Sequence, residues 1–221
     1  MDIDEALGIE ELRGRFLKHS RQAYQLLPPL DRPRILDIGC GRGLQTLELA
    51  RLSDGHLVGI DVDADALAKL QQRINEAELG NRIQALHVSL FDNTFDDASF
   101  DLLWEEGVLH LLDTSRSLAE CHRLLKAGGH LVMHETIRWF DGVRAALQRH
   151  GLEVVDQHML PRHFWWTDYG APLERRIQAF RQAHGDGAQA PGLTEHEQAA
   201  AAIKADPDQT DCGIYLVRKG G

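Results

Sequence analysis

Residues 35–46, ILDIGCGRGLQT, run four mostly apolar residues into three glycines spaced two apart, Gly39, Gly41 and Gly43. A short apolar run ending in glycine is the pattern of a parallel strand buried on both faces. The chain continues as LQTLELARL, which puts Leu44, Leu47 and Leu52 on one helical face before SDG ends it. Strand, glycine turn and helix open an α/β sheet, whose ligand crevice lies at the carboxyl ends of the strands. Glycine there admits backbone conformations closed to other residues, and the helix that follows offers unpaired N–H groups.

Outward from this unit the scheme repeats. HLVGID reads as a strand, Asp63 as the N-cap of a helix with Leu67, Leu70 and Ile74 on its apolar stripe, and Gly80-Asn81 as its end. RIQALHV, FDLLWEE and HLVMHET supply three more strands, with SRSLAECHRLLKAGG as a helix between the last two, stopped by glycine. LEVVDQHML and GIYLVRK complete seven. Strands alternating with helices predict a doubly wound, mostly parallel sheet. Two segments stand outside the scheme. Residues 3–27 read as one or two amphipathic helices with Leu12, Phe16, Leu17 and Tyr24 as apolar positions, and residues 161–212 form a connection too long to be a plain loop. The expected organisation is an N-terminal helical cap at 1–30, a ligand-binding core at 31–160, a substrate-cap insertion at 161–212 and a final core strand at 213–221.

Composition narrows the partners. The 221 residues carry a net charge of −10, whose mean field repels nucleic acid and anionic membrane, and no stretch forms a basic run. The acidic start does not match a signal peptide, and no segment has the length and apolarity of a membrane span, so a cytoplasmic monomer or homodimer is expected. Cys40, Cys121 and Cys212 are far apart and odd in number, which fits a reducing compartment.

Spacing and charge then decide what the turn serves. The dinucleotide fingerprint G-x-G-x-x-G is not met, because Leu44 stands in its sixth position, which disfavours an NAD-type oxidoreductase. Asp37, two residues before the turn, would repel a pyrophosphate and suits a cation. Asp61 ends the second strand, where a carboxylate accepts both hydroxyls of a ribose. The stretch resembles motif I of the class I S-adenosylmethionine-dependent methyltransferases, with Asp37 as its acidic residue and Gly39, Gly41 and Gly43 as its glycines. The resemblance extends over most of residues 30–136. Ser89-Leu90 falls where that family places its adenine contacts, with Ser in place of the common Asp. FDLL matches the family's fourth strand, and LKAGG resembles the LKPGG turn before its fifth. WEEGVLHLL, MLPRHFWWTDYGAPLE and GIYLVRK resemble a bacterial subgroup acting on small molecules, of the methyltransferase domain 11/25 type.

The resemblance implies a Rossmann-like seven-stranded sheet whose last strand is antiparallel. It implies S-adenosyl-L-methionine as cofactor and S-adenosyl-L-homocysteine as product. Its contacts would be Asp37, Gly39, Gly41, Gly43, Asp61, Val62, Ser89, Leu90 and Glu105. Methyl transfer needs alignment and exclusion of water, and a general base only when the nucleophile holds its proton. His110, beyond the fourth strand, is a base suited to neutral pH; the plainer reading is a histidine bonded to nearby backbone. Glu106 and His134 complete the catalytic candidates, with one of Glu105 and Glu106 facing the cofactor's amino group or the acceptor. Trp104, Glu135, Trp165, Trp166 and Tyr169 are the expected substrate pocket, unless the last three only clasp the cap by burial. His130 and His134 lie about 13 Å apart on strand geometry, too far for one metal ion, and no metal site is expected. Cys40 reads as a small buried filler. The reading is methyl transfer to an N, O or S nucleophile of a small molecule; the rival from another class is a sensor that binds the cofactor without turnover.

Overall fold

The computed structural model describes residues 2–185 and 191–220. Residues 186–190 of the expected insertion, with Met1 and Gly221, lie outside the described residues.

All seven expected strands are present: β1 Arg34–Ile38, β2 His56–Asp61, β3 Ile83–His87, β4 Phe100–Glu106, β5 Leu125–Thr136, β6 Leu152–Met159 and β7 Cys212–Lys219. They form one sheet in the order β3-β2-β1-β4-β5-β7-β6. The pairs β1–β2, β1–β4, β2–β3 and β4–β5 are parallel. Hydrogen bonds from Leu160 N to Cys212 O and from Gly220 N to Gly151 O set β7 antiparallel to β6. The strand order reverses between β1 and β4, the place where α/β sheets open a crevice.

The chain divides into two compact units, Met1–Lys18 with Met159–Cys212 and His19–His158 with Gly213–Gly221. In the second unit, α4 Leu44–Leu52, α5 Ala64–Glu76, α6 Thr114–Leu124 and α7 Ile137–Arg149 accompany the strands. Asp63 caps α5 as expected, accepting from the N–H groups of Asp65 and Ala66. One core gathers Leu36 and Ile38 of β1, Leu103 of β4, Leu131 and Met133 of β5, and Leu118, Phe140 and Leu147 of the helices. Each such burial contributes about 1.5–3 kcal/mol.

Three local expectations are corrected. The N-terminal region holds three helices, α1 Ile3–Ala6, α2 Ile9–Gly14 and α3 Leu17–Leu26, because Gly8 turns left-handed at φ 59° and breaks the first two apart. Helix α5 stops at Glu76, four residues before Gly80, where Glu78 takes φ 55°. Helix α4 buries Gln45, Thr46, Glu48 and Leu49 rather than the leucines at 44, 47 and 52. Its polar side is claimed by specific partners: Thr46 bonds Asp37, and Arg21 of α3 pairs with Glu48.

The first unit joins the N-terminal segment to residues 159–212. Beside α1 and α2 it contains a π-helical turn at Trp165–Gly170, α8 Ala171–His184 and α9 Leu193–Ala205. Arg176 of α8 donates to the carbonyls of Leu7 and Gly8, and His196 of α9 meets Asp4 at 2.7 Å. Phe16 packs on Phe164, Trp165 and Tyr169, with ring centroids 4.9, 4.4 and 6.5 Å away.

Candidate functional site

The glycine turn between β1 and α4 is held by β2, since the N–H groups of Gly39 and Cys40 both donate to Ile60 O. All three glycines have positive φ, 70°, 52° and 82°, yet their surroundings differ. A Cβ on Gly39 would lie 2.4 Å from Val108, and one on Gly43 2.2 Å from Leu70, so those positions are glycine because the turn packs against its own protein. A Cβ on Gly41 would meet nothing within 4 Å. Gly41 is the bare backbone that faces open space.

Two carboxylates flank it. Asp61 accepts from Gly41 N at 2.7 Å and, through its other oxygen, from Asp63 N at 2.9 Å, so backbone donors fix its orientation. Val62 beside it is a large apolar side chain left 68% exposed. Asp37 is buried and accepts from the Thr46 hydroxyl at 2.6 Å. Burial pushes its carboxyl up to about 7 against the pull of that hydrogen bond, with the charges of Glu106 and Asp61 adding to the rise. Cys40 is a buried thiol with its pKa pushed up by burial, the inert filler its position implied. Leu90 is buried, and the Ser89 hydroxyl accepts from Phe91 N, a local turn contact.

Strand register sorts the remaining candidates. Asp37 pairs laterally with Trp104, Trp104 with Val132, and two residues on Glu106 pairs with His134, so Asp37, Trp104, Glu106 and His134 share one face. There Glu106 accepts from the Ser20 hydroxyl at 2.8 Å and from Trp104 Nε1 at 3.0 Å, and its second oxygen lies 3.7 Å from His134 Nδ1. Burial would raise the Glu106 carboxyl, but the facing His134 with the two donors brings it below its ordinary value, so it is ionised. Trp104 itself is fully buried.

The opposite face carries the other pair. Glu105 pairs with Ile38 and Met133 of the apolar core, is fully buried, and accepts from the N–H groups of Val108 and Leu109. This corrects the expectation that Glu105 meets the cofactor: alternation along β4 turns it away from Asp37 and makes it the anchor of the turn after the strand. Burial, and then the charge of Glu135, push it well above the usual carboxylate range. Glu135, also raised by burial, accepts from His110 N at 3.1 Å and faces His110 Nδ1 at 3.0 Å. His110, grouped with Glu106 and His134 from sequence, thus lies with Glu135 on the other side of the sheet.

Of the aromatic candidates, Trp165 and Tyr169 pack on Phe16 inside their own unit, and Lys204 sits 5.7 Å over Trp166. Sequence reasoning missed one group with metal-like spacing, His163, Asp208 and Asp211. The Arg162 guanidinium, bonded to both carboxylates, already supplies a cation there. Also missed was an imidazole pair, His19 Nδ1 and His158 Nε2, 2.9 Å apart in the sheet unit. No described helix is long and apolar enough to cross a membrane.

Residues 36–133 match the family model described as a methyltransferase domain. The chain is 33% identical over 109 residues to demethylmenaquinone methyltransferase of Lactiplantibacillus plantarum, covering 46% of this chain and 44% of that protein. It is 28% identical over 131 residues to 27-O-demethylrifamycin SV methyltransferase of Amycolatopsis mediterranei, covering 59% and 47%. The chain spans less than half the length of the first curated relatives it matches. Among solved structures, the 4+2 cyclase SpnF superposes with a TM-score of 0.76 at 21% identity, over 94% of this chain and 80% of that one. The sheet and its glycine turn, over residues 36–133, are similar to those of the class I S-adenosylmethionine-dependent methyltransferases.

Proposed function

We propose that this protein transfers a methyl group from S-adenosylmethionine to a nitrogen, oxygen or sulfur nucleophile of a small molecule. One observation carries the reading: Gly41 faces open space between a buried, cation-seeking Asp37 and an Asp61 held ready by two backbone donors. A pyrophosphate has no partner in that setting, whereas an ammonium and a ribose do. The residues therefore fit the cofactor, Asp61 receiving its hydroxyls, Val62 offering an apolar face to its base, and Asp37 and Gly41 bordering its methionine part. When bound, the cofactor supplies an electrophilic methyl group on a sulfonium. The chain's part is alignment, exclusion of water and removal of a proton where the nucleophile carries one. Two imidazole–carboxylate pairs at the strand ends, His134–Glu106 and His110–Glu135, are the candidates for holding that proton.

The two methyltransferases compared above support the activity, and their named substrates, 27-O-demethylrifamycin SV and demethylmenaquinone, are small molecules. SpnF, a cyclase on the same fold, keeps a cofactor-binding protein without methyl transfer as the second reading. Calorimetry with S-adenosylhomocysteine, followed by incubation of labelled cofactor with phenols, amines and thiols, separates the two. Cofactor binding with label transfer supports the proposal. Binding with no transfer to any acceptor favours the second reading, and no binding removes both.

A further inference from the structure

After β4 the chain enters a single 3-10 turn at Leu109–Leu111. The first N–H groups of such a turn have no carbonyl of their own to bond. Here side chains of two neighbouring strands receive three in succession. Glu105 of β4 accepts from Val108 at 3.0 Å and from Leu109 at 3.3 Å, and Glu135 of β5 accepts from His110 at 3.1 Å. Gly107, at φ 72°, adds its own N–H to His134 O. The sheet thus holds the turn at four consecutive residues. One of them, Val108, sets its side chain where a Cβ of Gly39 would stand. Glu105 itself is fully buried and points away from Asp37, so it meets no ligand directly.

Resting on the S-adenosylmethionine reading, we infer that Glu105 is a positioning residue for the cofactor: it seats Val108 against Gly39, and the seated turn sets the backbone of Gly41 and the carboxylate of Asp61. The route is short and lies within the sheet unit. It runs from Glu105 to Val108 N, from the Val108 side chain to Gly39, along the chain to Gly41, and from Gly41 N to Asp61. Without Glu105, two N–H groups lose their acceptor under the core, and the turn must shift to find another. Gly39 then loses the wall it closes on.

This role needs an acceptor oxygen and no charge. One oxygen of Glu105, Oε2, takes both N–H groups, while Oε1 is buried with no hydrogen-bond partner among the described residues. The Glu135 carboxyl, the His134 ring and the Cys121 thiol of α6 stand around it. Burial, and then the charge of Glu135, favour the neutral acid over the opposing pull of the two N–H groups and His134. A neutral acid and a glutamine offer the same carbonyl oxygen to Val108 and Leu109. A carboxylate that met the cofactor's ammonium would not survive that exchange.

The test uses the full chain and S-adenosylhomocysteine, with affinity read by calorimetry at neutral pH. Glu105→Leu removes the acceptor at similar volume and should weaken binding about tenfold, whereas Glu105→Gln should stay within about twofold of the native protein. Val108→Ala should weaken binding about fourfold; the double variant with Glu105→Leu should match Glu105→Leu within about twofold, because both changes undo one contact, where independent effects would multiply. Hydrogen exchange reads the route without ligand. The Val108, Leu109 and Gly41 amides should exchange about tenfold faster in Glu105→Leu and at the native rate in Glu105→Gln. Leu147→Ala, a core truncation on α7, gauges lost stability alone and should lower Tm while leaving affinity unchanged. Native affinity in a folded Glu105→Leu variant, a Gln variant as weak as the Leu variant, or single effects that multiply would each overturn the inference. If Glu105→Leu does not fold, native affinity with native Gly41 exchange in Val108→Ala overturns it instead. Absence of binding by the unaltered protein would strike the cofactor reading, while the exchange rates of Gly41 would still decide whether Glu105 sets the glycine turn.

Discussion

Lowering the pH from about 8 to about 6 should weaken binding of S-adenosylhomocysteine about tenfold, with Asp37 as the cause. Its carboxyl is pushed up to about 7 by burial, and a cationic ligand favours the ionised form. The ionised share of the free protein falls from roughly nine-tenths at pH 8 to roughly one-tenth at pH 6, and affinity falls with it. Titration calorimetry reads both affinities; near pH 7, in two buffers of different ionisation enthalpy, it should also show release of about half a proton per ligand. Asp37→Asn should flatten the profile, which separates the effect from titration of the ligand's own ammonium. The same substitution should stabilise the ligand-free protein at pH 8. A carboxyl whose folded pKa exceeds its unfolded one binds its proton more tightly when folded, so its contribution is full at low pH. That contribution is lost as pH rises through the window between 3.8 and about 7. The shift corresponds to a loss on the order of 4 kcal/mol, part of which the amide recovers. Thermal melts at pH 8 with and without ligand read this exchange of stability for binding. A dissociation constant that does not move between pH 8 and 6, or an Asn variant that melts lower and binds as tightly as the native protein, would refute the assignment of Asp37 to a cation.

Gly41→Val should cost about 1–2 kcal/mol of stability from its positive φ and abolish S-adenosylhomocysteine binding, whereas Gly39→Ala should destabilise by about 2–4 kcal/mol through its collision with Val108. Urea unfolding and calorimetry on both variants check the contrast, and equal effects on binding and stability in the two would contradict it. Asp61→Ala should weaken the cofactor by about 1–3 kcal/mol, read by calorimetry, and an unchanged affinity would remove Asp61 from the site. Phe16→Ala should destabilise the unit of Met1–Lys18 and Met159–Cys212 by about 3–5 kcal/mol, since three aromatic rings lose their common partner. Faster proteolysis within residues 159–212 is the expected readout, and an unchanged digest would contradict it.

The strands were legible because parallel strands buried on both faces leave contiguous apolar runs, and the glycine turn because its spacing is a backbone requirement. Faces were harder. Alternation says that Glu105 and Glu106 diverge, but which one joins Asp37 depends on the register of β1 against β4. The buried side of α4 escaped a hydrophobic reading because Thr46 and Glu48 are buried by polar partners, one of them on another helix. His19 and His158 stand 139 residues apart, and no local spacing announces their bond.

The glycine turn has two kinds of glycine, and this bears on how the site works. Gly39 and Gly43 let the turn close on Val108 and Leu70, which fixes where the backbone of Gly41 lies. Glu105, by gathering the N–H groups of Val108 and Leu109, holds the turn that places Val108 there. The carboxylate that sequence reading gave to the cofactor therefore acts at one remove, through Val108 and Gly39. Gly41 then donates to Asp61, whose other oxygen is held by Asp63, so the acceptor for the ribose is oriented before a ligand arrives. Ordering that is already in place need not be supplied by binding, and affinity gains by the entropy not lost. A Cβ at either packing glycine would reach Asp61 through the backbone of the turn, and a change at Glu105 would do so from the far face of the sheet.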